Sequence, residues 1–415
     1  MAQTANGESH NMTEAGTLTG LKVVELGSFV AAPYATKLLA DQGADVVKIE
    51  PNLGDLARRV GPFPGDIPHP EKSGFFLYLN HNKLGVTLDV SMPTGRDILK
   101  RLLKDADVLV EANPPRVMEE LGLDYKALSQ VNPRLIVTSI TAWGQSGPYR
   151  DRKACDLTCS AAGNVAYGVG SPDREPLAMP FWQGDHQAGL NAAGATMAAV
   201  LARDRTGTGQ RVDIAEAEVL ACNFAGMYVP TYVFQGITGD RKGFRSGLGL
   251  FPQTILKCKD GWICLNAPQL EQWIRFVKLM GEPEWSKQPR YRNRRAMGEE
   301  YPDDVEALMA PWFAERTKKE IFDACREAHT PFAPVRTVED LLNDPQLAHR
   351  RYFAEVRHPE AGTWKYPSAP FKLSATSISI RWPAPRLGEH NEEVYCGRLG
   401  FSRMDLVDLR RAGVV

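Results

Sequence analysis

Short apolar runs alternate with amphipathic stretches along the first third of the chain. Runs with the length and β-branched content of buried strands occur at 21–26, 45–50, 85–89, 107–111 and 135–140. Between them, apolar residues recur at helical spacing at 33–42, 94–106 and 125–130. Strands and helices that alternate over short links form right-handed parallel units. The pattern therefore predicts an α/β fold with a Rossmann-like, doubly wound parallel sheet.

The pattern changes after Gly236. Residues 237–250 are rich in glycine and arginine, which predicts a loop. Apolar strands at 254–258 and 262–265 flank Asp260-Gly261, a strong hairpin signal. Helical patterns follow at 269–280, 303–314 and 318–329. We therefore predict three successive regions, namely a flexible tail at 1–18, the N-terminal part of a large domain at 19–225, and a linker with a smaller α+β domain at 226–335.

Composition narrows the functional classes. The chain is 43% apolar with a formal net charge of −1, so no strong field attracts nucleic acid or a membrane surface. It lacks an apolar run long enough for a transmembrane helix, and its polar start lacks the apolar core of a signal peptide. Its seven cysteines fit a reducing cytoplasm, and Cys155 and Cys159 have no second pair to complete a zinc site. We expect no metal, no nucleic acid and no membrane partner.

Asp185 is the most informative single residue. It lies in the segment Gln-Gly-Asp-His-Gln-Ala-Gly at 183–189, directly before a stretch rich in alanine and glycine. A buried carboxylate is costly unless it is paired or used, and carboxylates serve as covalent nucleophiles. Taken alone, Asp185 is more simply interpreted as a helix N-cap.

Other motifs mainly exclude particular functions, such as binding of a dinucleotide or hydrolysis by a serine nucleophile. The turn at 27–33 has one glycine where a dinucleotide fingerprint needs three, so binding of NAD is not supported. No Gly-x-Ser-x-Gly elbow occurs. His390 is either a base or, more simply, structural. Gly247 and Gly249 are suited either to the hinge of a lid that excludes water or to an inert loop.

Several blocks of sequence become recognisable when they are read in order. They are 21–33, 43–50, Gly54-Asp55, Asn82-Lys83, Leu88-Asp89, 144–148, Gly184-Asp185, 206–210 and 388–393. Together they resemble the class III CoA-transferases, the group that includes formyl-CoA, carnitine and aryl-acid CoA-transferases. The resemblance runs from about Thr17 to the C-terminus. It implies that residues 336–415 complete the large domain.

The resemblance implies that Asp185 is the nucleophile. It would attack a donor thioester to form a mixed anhydride, and the returning CoA thiolate would then form an aspartyl-CoA thioester. CoA thioesters would be substrates, with no tightly bound cofactor. The Gly-Asp-His-Gln-Ala-Gly version resembles the branch that acts on aromatic or bulky acids. We therefore expect a succinyl-CoA donor and a hydrophobic or aromatic acceptor acid. An apolar acyl pocket would be lined by Phe29, Trp143, Phe181 and Trp182.

The family's CoA-binding positions map onto several segments. They fall at Val30, Ala31, Leu88, Asp89, Ala112, Asn113, Ile140, Thr141 and Ala142. Some members of the family carry glutamine where this chain has Val30. The arginine that binds CoA phosphate in formyl-CoA transferase falls at Glu120, and Arg116 would serve instead because a guanidinium matches phosphate geometry.

The resemblance also defines two alternatives and an assembly. The α-methylacyl-CoA racemases share the family's fold but use a His-Asp pair at the position of Cys155-Asp156, so racemisation is disfavoured here. Some aryl-acid transferases pair two related subunits, so a paralogous partner is an alternative to a homodimer. The family architecture implies an interlocked dimer whose monomer has no stable fold.

Overall fold

A sheet of parallel strands dominates the structure, a computed structural model that describes residues 16–226, 228–239, 241, 243–245 and 250–415. The strands are β1 (Lys22–Leu26), β2 (Asp45–Glu50), β3 (Lys83–Thr87), β4 (Val108–Glu111), β5 (Ile136–Thr141) and β6 (Arg211–Ala215). Their order is β3-β2-β1-β4-β5-β6, and all neighbours are parallel. The prediction of a doubly wound parallel sheet is confirmed. Winding reverses between β1 and β4, where such sheets place their ligands.

Ten helices lie between the start of the sheet and the second half of the chain, within the described residues. They are α1 (Ala31–Asp41), α2 (Gly74–Leu79), α3 (Pro93–Leu103), α4 (Pro115–Glu120), α5 (Tyr125–Val131), α6 (Asp156–Ala162), α7 (Val165–Gly168), α8 (Gln183–Thr206), α9 (Glu216–Phe224) and α10 (Tyr228–Gln235). Helix α1 begins before Pro33, since proline fits the first helical turn. No helix in the described part of the chain has the length and apolar character needed to cross a membrane.

Small residues of α8 explain its alanine- and glycine-rich sequence. Ala188 and Ala192 are fully buried in the apolar core shared with α1. A Cβ on Gly189 would lie 2.6 Å from the carbonyl oxygen of Ala31. The two helices therefore approach each other closely, which fixes the N-terminus of α8 beside the end of β1.

The chain divides into two compact units. The first comprises the described residues up to Val165, Ala178–Pro230 and Ala348–Val415, and the second comprises Ala166–Leu177 and Thr231–Leu347. In the second unit, the strands β7 (Gln253–Cys258) and β8 (Gly261–Asn266) form the predicted hairpin, and β9 (Ala333–Pro334) pairs with β8. Its helices are α11 (Leu270–Leu279), α12 (Arg294–Glu299), α13 (Pro302–Ala314), α14 (Lys318–Glu327) and α15 (Val338–Leu342).

The C-terminal segment returns to the first unit. After α16 (Pro345–His349), the strands β10 (Phe353–His358) and β11 (Gly362–Pro367) form a hairpin, and α17 (Arg403–Arg411) follows a π-helical turn. His390 exchanges two hydrogen bonds with the backbone of Gly85 in β3. Its role in this structure is therefore to anchor the edge strand, in agreement with the simpler interpretation of this residue.

A buried ionic network lies beneath the turn between β1 and α1. The Lys48 ammonium donates to Glu25 and Asp55 at 2.7 Å each, and Lys83 donates to the other oxygen of Glu25 at 2.8 Å. Asp55 in turn accepts the backbone N–H of Phe29 at 2.9 Å. Phe29 has a φ of 75°, which is costly for a residue with a side chain. The network therefore holds a strained turn in place at the end of β1.

The buried partners of Lys83 explain why β3 begins earlier than the sequence predicts. The strand starts at Lys83 rather than Gly85, because the ammonium of Lys83 is satisfied inside the protein by Glu25, Asn80 and a backbone carbonyl. A lysine at a strand start suggests a solvent-exposed turn when the sequence is read alone.

Candidate active site

A cavity of about 940 Å³ opens at the carboxyl ends of β1, β4 and β5. It therefore occupies the switch point of the sheet, the usual binding crevice of this architecture. Asp185 lines it. The positions expected to contact CoA that also line it are Val30, Ala31, Ala112, Asn113, Arg116, Ile140, Thr141 and Ala142.

Other expected positions lie elsewhere. Leu88 is buried in the apolar core on the far side of β2, because β3 is the edge strand and stands two strands away from β1. The carboxylate of Asp89 accepts the backbone N–H and the hydroxyl of Ser91. The structure therefore does not bring these two residues to the cavity. Gly247 and Gly249, the expected hinge of a lid, lie outside the described residues.

Asp185 occupies the first turn of α8 and does not cap it. The cap comes from Asp156 at the start of α6, whose Oδ1 accepts the N–H groups of Gly184 at 2.7 Å and Asp185 at 3.2 Å. The N-cap interpretation of Asp185 is therefore wrong. No hydrogen bond to its carboxylate is present among the described residues, so the group faces the cavity without a fixed partner.

Burial and the charge of Asp156 together raise the pKa of Asp185 to about 7. The positive end of the α8 dipole opposes this effect, since a helix N-terminus favours the ionised form. The balance leaves a carboxyl that is neutral in acid and becomes a weakly solvated carboxylate near neutral pH. Such a group is well suited to attack a carbonyl carbon.

A third carboxyl completes the cluster. Glu216 begins α9, is 6% exposed and lines the same cavity. Burial, Asp185 and Asp156 raise the pKa of Glu216 to about 8. Burial and Glu216 also raise the pKa of the Cys159 thiol. Among the described residues, no grouping of acidic, histidine or cysteine side chains is arranged to hold a metal ion.

Gly184 allows the three carboxyls to converge. A Cβ at this position would lie 2.5 Å from Oε1 of Glu216 and 2.7 Å from Oδ1 of Asp156. The Asp156 oxygen cannot retreat without losing its hydrogen bonds to the N–H groups of Gly184 and Asp185. The sequence predicts no role for Glu216 and marks Asp156 only as part of the position that holds a His-Asp pair in racemases. Gly184, directly before Asp185, is the local sign of a close approach.

Basic side chains outnumber acidic ones at the rim of the cavity. Asp151 lies there and pairs with Arg150, and the basic residues are Arg116, Arg150, Arg152 and Lys153. Arg116 is exposed and forms an ion pair with Glu120 at 2.7 Å, so it lies beside the position at which the sequence resemblance leads us to expect a phosphate-binding arginine. The guanidinium of Arg152 lies 4.1 Å from the ring centroid of Tyr149.

Aromatic side chains surround the turn into α8. The ring centroids of Phe29 and Trp182 lie 5.0 Å apart, and those of Phe75 and Trp182 lie 4.9 Å apart. Phe181 and Trp182 both have positive φ values, so this turn is strained as well.

A second cavity of about 550 Å³ lies on the other side of Trp182, with Tyr34, Tyr78 and Phe75 in its wall. Of the aromatic residues expected at an acyl pocket, Phe29, Trp143, Phe181 and Trp182 all line the larger cavity. Phe75 was not anticipated.

The position that would distinguish a racemase holds Cys155 in place of a histidine. Cys155 is exposed at the start of α6. No histidine is among the described residues that line the larger cavity. His186 instead borders the second cavity, where its Nδ1 lies 2.8 Å from the carbonyl oxygen of Trp182 and its ring packs edge-on against Tyr34.

Comparison with known proteins places this arrangement in a family. The family described as CoA-transferase family III matches residues 18–391. The chain belongs to this family. It is therefore an enzyme of the class III CoA-transferases, as the order of its motifs indicates.

Relatives of this CoA-transferase carry several substrate names. It is 32% identical to the succinyl-CoA–D-citramalate CoA-transferase of Chloroflexus aurantiacus, over 96% of this chain and 98% of that protein. It is also 32% identical to the BbsE subunit of succinyl-CoA:(R)-benzylsuccinate CoA-transferase from Thauera aromatica, over 92% and 94% of the two chains. A CaiB/BaiF family protein from Brucella suis superimposes with a TM-score of 0.83 at 27% identity, covering 92% of this chain and 99% of that one.

Proposed function

We propose that this enzyme transfers CoA from succinyl-CoA to a hydrophobic or aromatic carboxylic acid, through a CoA thioester formed on Asp185. The observation that carries the proposal is the unpaired carboxylate of Asp185, at a helix N-terminus in the switch-point cavity of a family III CoA-transferase. The named relatives that use succinyl-CoA support the choice of donor.

The proposed chemistry needs no external energy source, because a thioester is exchanged for a thioester. The Asp185 carboxylate attacks the carbonyl carbon of the donor, the carbon–sulfur bond breaks, and CoA thiolate leaves a mixed anhydride. The thiolate then attacks the aspartyl carbonyl, which expels the donor carboxylate and leaves CoA on Asp185. The acceptor carboxylate then attacks the aspartyl thioester, and the same two steps follow in reverse to give the acceptor's CoA thioester. Covalent catalysis thus divides one difficult exchange into easier ones.

The surroundings of Asp185 suit this chemistry. Helix α1 begins at the cavity with no side-chain cap and no acidic residue in its first turn. Its N–H groups near Ala31 are therefore placed to stabilise an oxyanion or the polar part of CoA. The basic rim suits the CoA phosphates, which arginine binds through matched geometry.

The acceptor pocket is proposed to be aromatic. Phe29 and Trp182 line the cavity that contains Asp185, and Phe75, which lines the second cavity, packs against both of them. An acid with an aromatic or bulky apolar group gains affinity from such a surface, whereas a small polar acid gains none. This supports an acceptor of the benzylsuccinate type over one of the malate type.

The covalent intermediate provides the test. Incubation of the protein with succinyl-CoA, without an acceptor, should give an adduct of the size of CoA in intact mass spectra. Hydroxylamine should remove the adduct, because it cleaves thioesters, and Asp185→Ala should never form it. The matched control Asp204→Ala changes an exposed carboxylate on the same helix and should label normally.

Other outcomes assign other functions. A wild-type protein that forms no adduct with a panel of acyl-CoA donors would overturn the proposal. Deuterium uptake at the α-carbon of a branched acyl-CoA would then indicate a racemase-like reaction. Labelling that appears only after addition of a paralogous chain would indicate a heteromeric transferase.

We also propose that the enzyme works as an interlocked dimer. Helix α10 has no buried residue and exposes Val229, Tyr232, Val233 and Phe234, the last at 83%. Leu190 and Leu201 of α8 are exposed as well. Apolar surface of this extent is typical of a protein interface.

Sedimentation over a range of concentrations tests the dimer. The wild type should sediment as a dimer, and Phe234→Glu should reduce its stability, because it places a charge in the proposed interface. Glu339→Gln, which alters an exposed residue of α15, is the control. A well-folded wild-type monomer at low concentration would contradict the proposal.

A further inference from the structure

Glu216 has no part in the nucleophilic steps described above, yet it lines the cavity beside Asp185. Its side chain is more than nine-tenths buried, and within the described part of the chain its Oε1 has no hydrogen-bond partner. The same oxygen approaches the Cα of Gly184, in the residue before the nucleophile. A buried, unpartnered carboxyl oxygen is destabilising, so its presence at a reactive site calls for a functional explanation.

The charges around Glu216 favour a bound proton. Burial, Asp185 on α8 and Asp156 on α6 all raise the pKa of Glu216, and they outweigh the hydrogen bond with the Cys159 thiol, which lowers it; no basic group is among the influences on its pKa. On the neighbouring strand β6, the carboxylate of Asp213 is already bonded to the N–H of Gln145. Glu218 on its own helix is exposed. Three carboxylates cannot all be ionised cheaply in this space, so one of them keeps its proton.

Asp156 and Asp185 are the better carriers of negative charge. Asp156 accepts two backbone N–H groups at the start of α8, and Asp185 lies in the first turn of that helix. Within the described residues, Glu216 receives no hydrogen bond from the backbone of a helix N-terminus. The proton therefore resides on Glu216 while Asp185 is the nucleophile.

We propose that Glu216 is a second catalytic residue, which gives its proton to the CoA sulfur as that sulfur leaves the acyl carbon and takes the proton back when the sulfur attacks the aspartyl anhydride. This inference rests on the proposed function. It adds a general acid–base to a reaction that otherwise releases a bare thiolate into a buried cluster of carboxyls.

The proposed steps balance in atoms and charge. In the first, an Asp185 oxygen bonds to the acyl carbon, the carbon–sulfur bond breaks, and the sulfur takes the Glu216 proton to form the CoA thiol. Asp185 is now a neutral anhydride and Glu216 is a carboxylate. In the second, Glu216 recovers the proton, the sulfur bonds to the aspartyl carbon, and the donor leaves as a carboxylate. The cavity never holds a thiolate, an ionised Asp185 and an ionised Glu216 together, which limits the desolvation cost.

Glu216→Gln tests the proposal, because glutamine matches the protonated side chain in shape and cannot transfer a proton. The measurement is the rate of aspartyl-CoA formation from succinyl-CoA, in rapid-quench mass spectra between pH 5.5 and 9.5. For the wild type we expect a rate that rises as Asp185 ionises and falls as Glu216 loses its proton above a pH of about 8. The variant should be slower by about 100-fold and should lack the alkaline fall.

The controls separate this role from a structural one. Glu218→Gln changes an exposed residue on the same helix and should leave both the rate and the pH profile unchanged. Glu216→Asp, which retains a carboxyl, should restore the alkaline fall. In deuterium oxide the wild type should slow about twofold, whereas Glu216→Gln should not respond.

Several outcomes would contradict the proposed role of Glu216. A Glu216→Gln variant with a rate close to that of the wild type, or a slow variant that keeps the alkaline fall, would show that Glu216 transfers no proton. If Glu216→Gln does not fold, the solvent isotope effect on the wild type decides the question. A wild type that shows no isotope effect would overturn the inference. A wild type that forms no adduct would instead refute the aspartyl-thioester mechanism, and the role of Glu216 with it.

Discussion

Asp185→Asn should lower the rate of CoA transfer at least about 10³-fold, because asparagine keeps the shape of the side chain and removes the nucleophile. The loss should appear in kcat with little change in the affinity for CoA, since the predicted CoA contacts at the ends of β1, β4 and β5 are unaltered. Steady-state transfer from succinyl-CoA, together with binding of free CoA measured by calorimetry, separates the two quantities.

The same substitution should stabilise the protein at neutral and alkaline pH. Burial and Asp156 raise the pKa of Asp185 to about 7, well above that of an unfolded aspartate. Stability associated with the raised pKa is present below the unfolded value of about 3.9 and is lost as pH rises through the folded value. Asparagine does not ionise, so the variant does not lose this part of the unfolding free energy as the pH rises. We expect Asp185→Asn to gain about 1–3 kcal/mol in unfolding free energy at pH 8 relative to the wild type, and to approach the wild type at pH 4.

Asp204→Asn supplies the comparison for both measurements. Asp204 lies on the same helix, with its side chain 57% exposed beside Arg203. It should affect neither the rate nor the pH dependence of stability. Transfer by Asp185→Asn at a tenth of the wild-type rate would rule out Asp185 as the nucleophile, provided that mass spectra exclude deamidation back to aspartate.

Lys48→Met should destabilise the fold by about 3–5 kcal/mol, because it leaves the buried Asp55 carboxylate without an ionic partner and Glu25 with one ammonium instead of two. The Lys48 side chain is fully buried between Glu25 and Asp55, with both ion pairs at 2.7 Å. Burial alone lowers the pKa of Lys48, but the two carboxylates outweigh it and the net shift is upward. Removal of the ammonium leaves Glu25 with Lys83 and leaves Asp55 with hydroxyl and backbone donors alone.

Urea unfolding at a fixed protein concentration measures the effect, since dimerisation would make the midpoint depend on concentration. Lys22→Met is the matched control, because Lys22 pairs with Asp105 at the surface, where the side chains are 48% and 83% exposed. Surface pairs contribute about 0–1 kcal/mol, so the control should unfold close to the wild type. Equal midpoints for the two variants would show that the buried network does not stabilise the fold.

Lys48→Met should also impair catalysis in the molecules that remain folded. Asp55 holds the N–H of Phe29 and the hydroxyl of Ser28, both in the turn that forms one wall of the active-site cavity. The network therefore joins the stability of the sheet to the shape of the site.

Much of the fold could be read from local sequence. The strands β1, β2, β4 and β5 are short apolar runs, as expected of parallel strands that are buried on both faces, whereas the edge strand β6 is partly polar and exposed. Their alternation with helices restricts the topology to a few possibilities, and the right-handed crossover rule selects among them. Asp185 was also identifiable, because a carboxylate in a glycine-flanked segment before a helix matches a family motif.

Other features depended on partners that are distant in sequence. The apolar pattern predicts that the edge strand begins at Gly85, but β3 begins two residues earlier, at Lys83. Only the fold supplies the carboxylate of Glu25 that neutralises Lys83. Leu88 lies in the core for a related reason, because the position of β3 at the sheet edge is set by strand order.

The sequence by itself determined the class of the sheet and the family, and it singled out Asp185 as the proposed nucleophile. The tertiary structure alone decided the electrostatic state of the Asp185 carboxyl. Asp156 reaches the start of α8 from 29 residues away, and Glu216 arrives from the helix after β6. The pKa of a carboxyl depends on its burial and on the charges nearby in space, and neither is encoded in its neighbours along the chain.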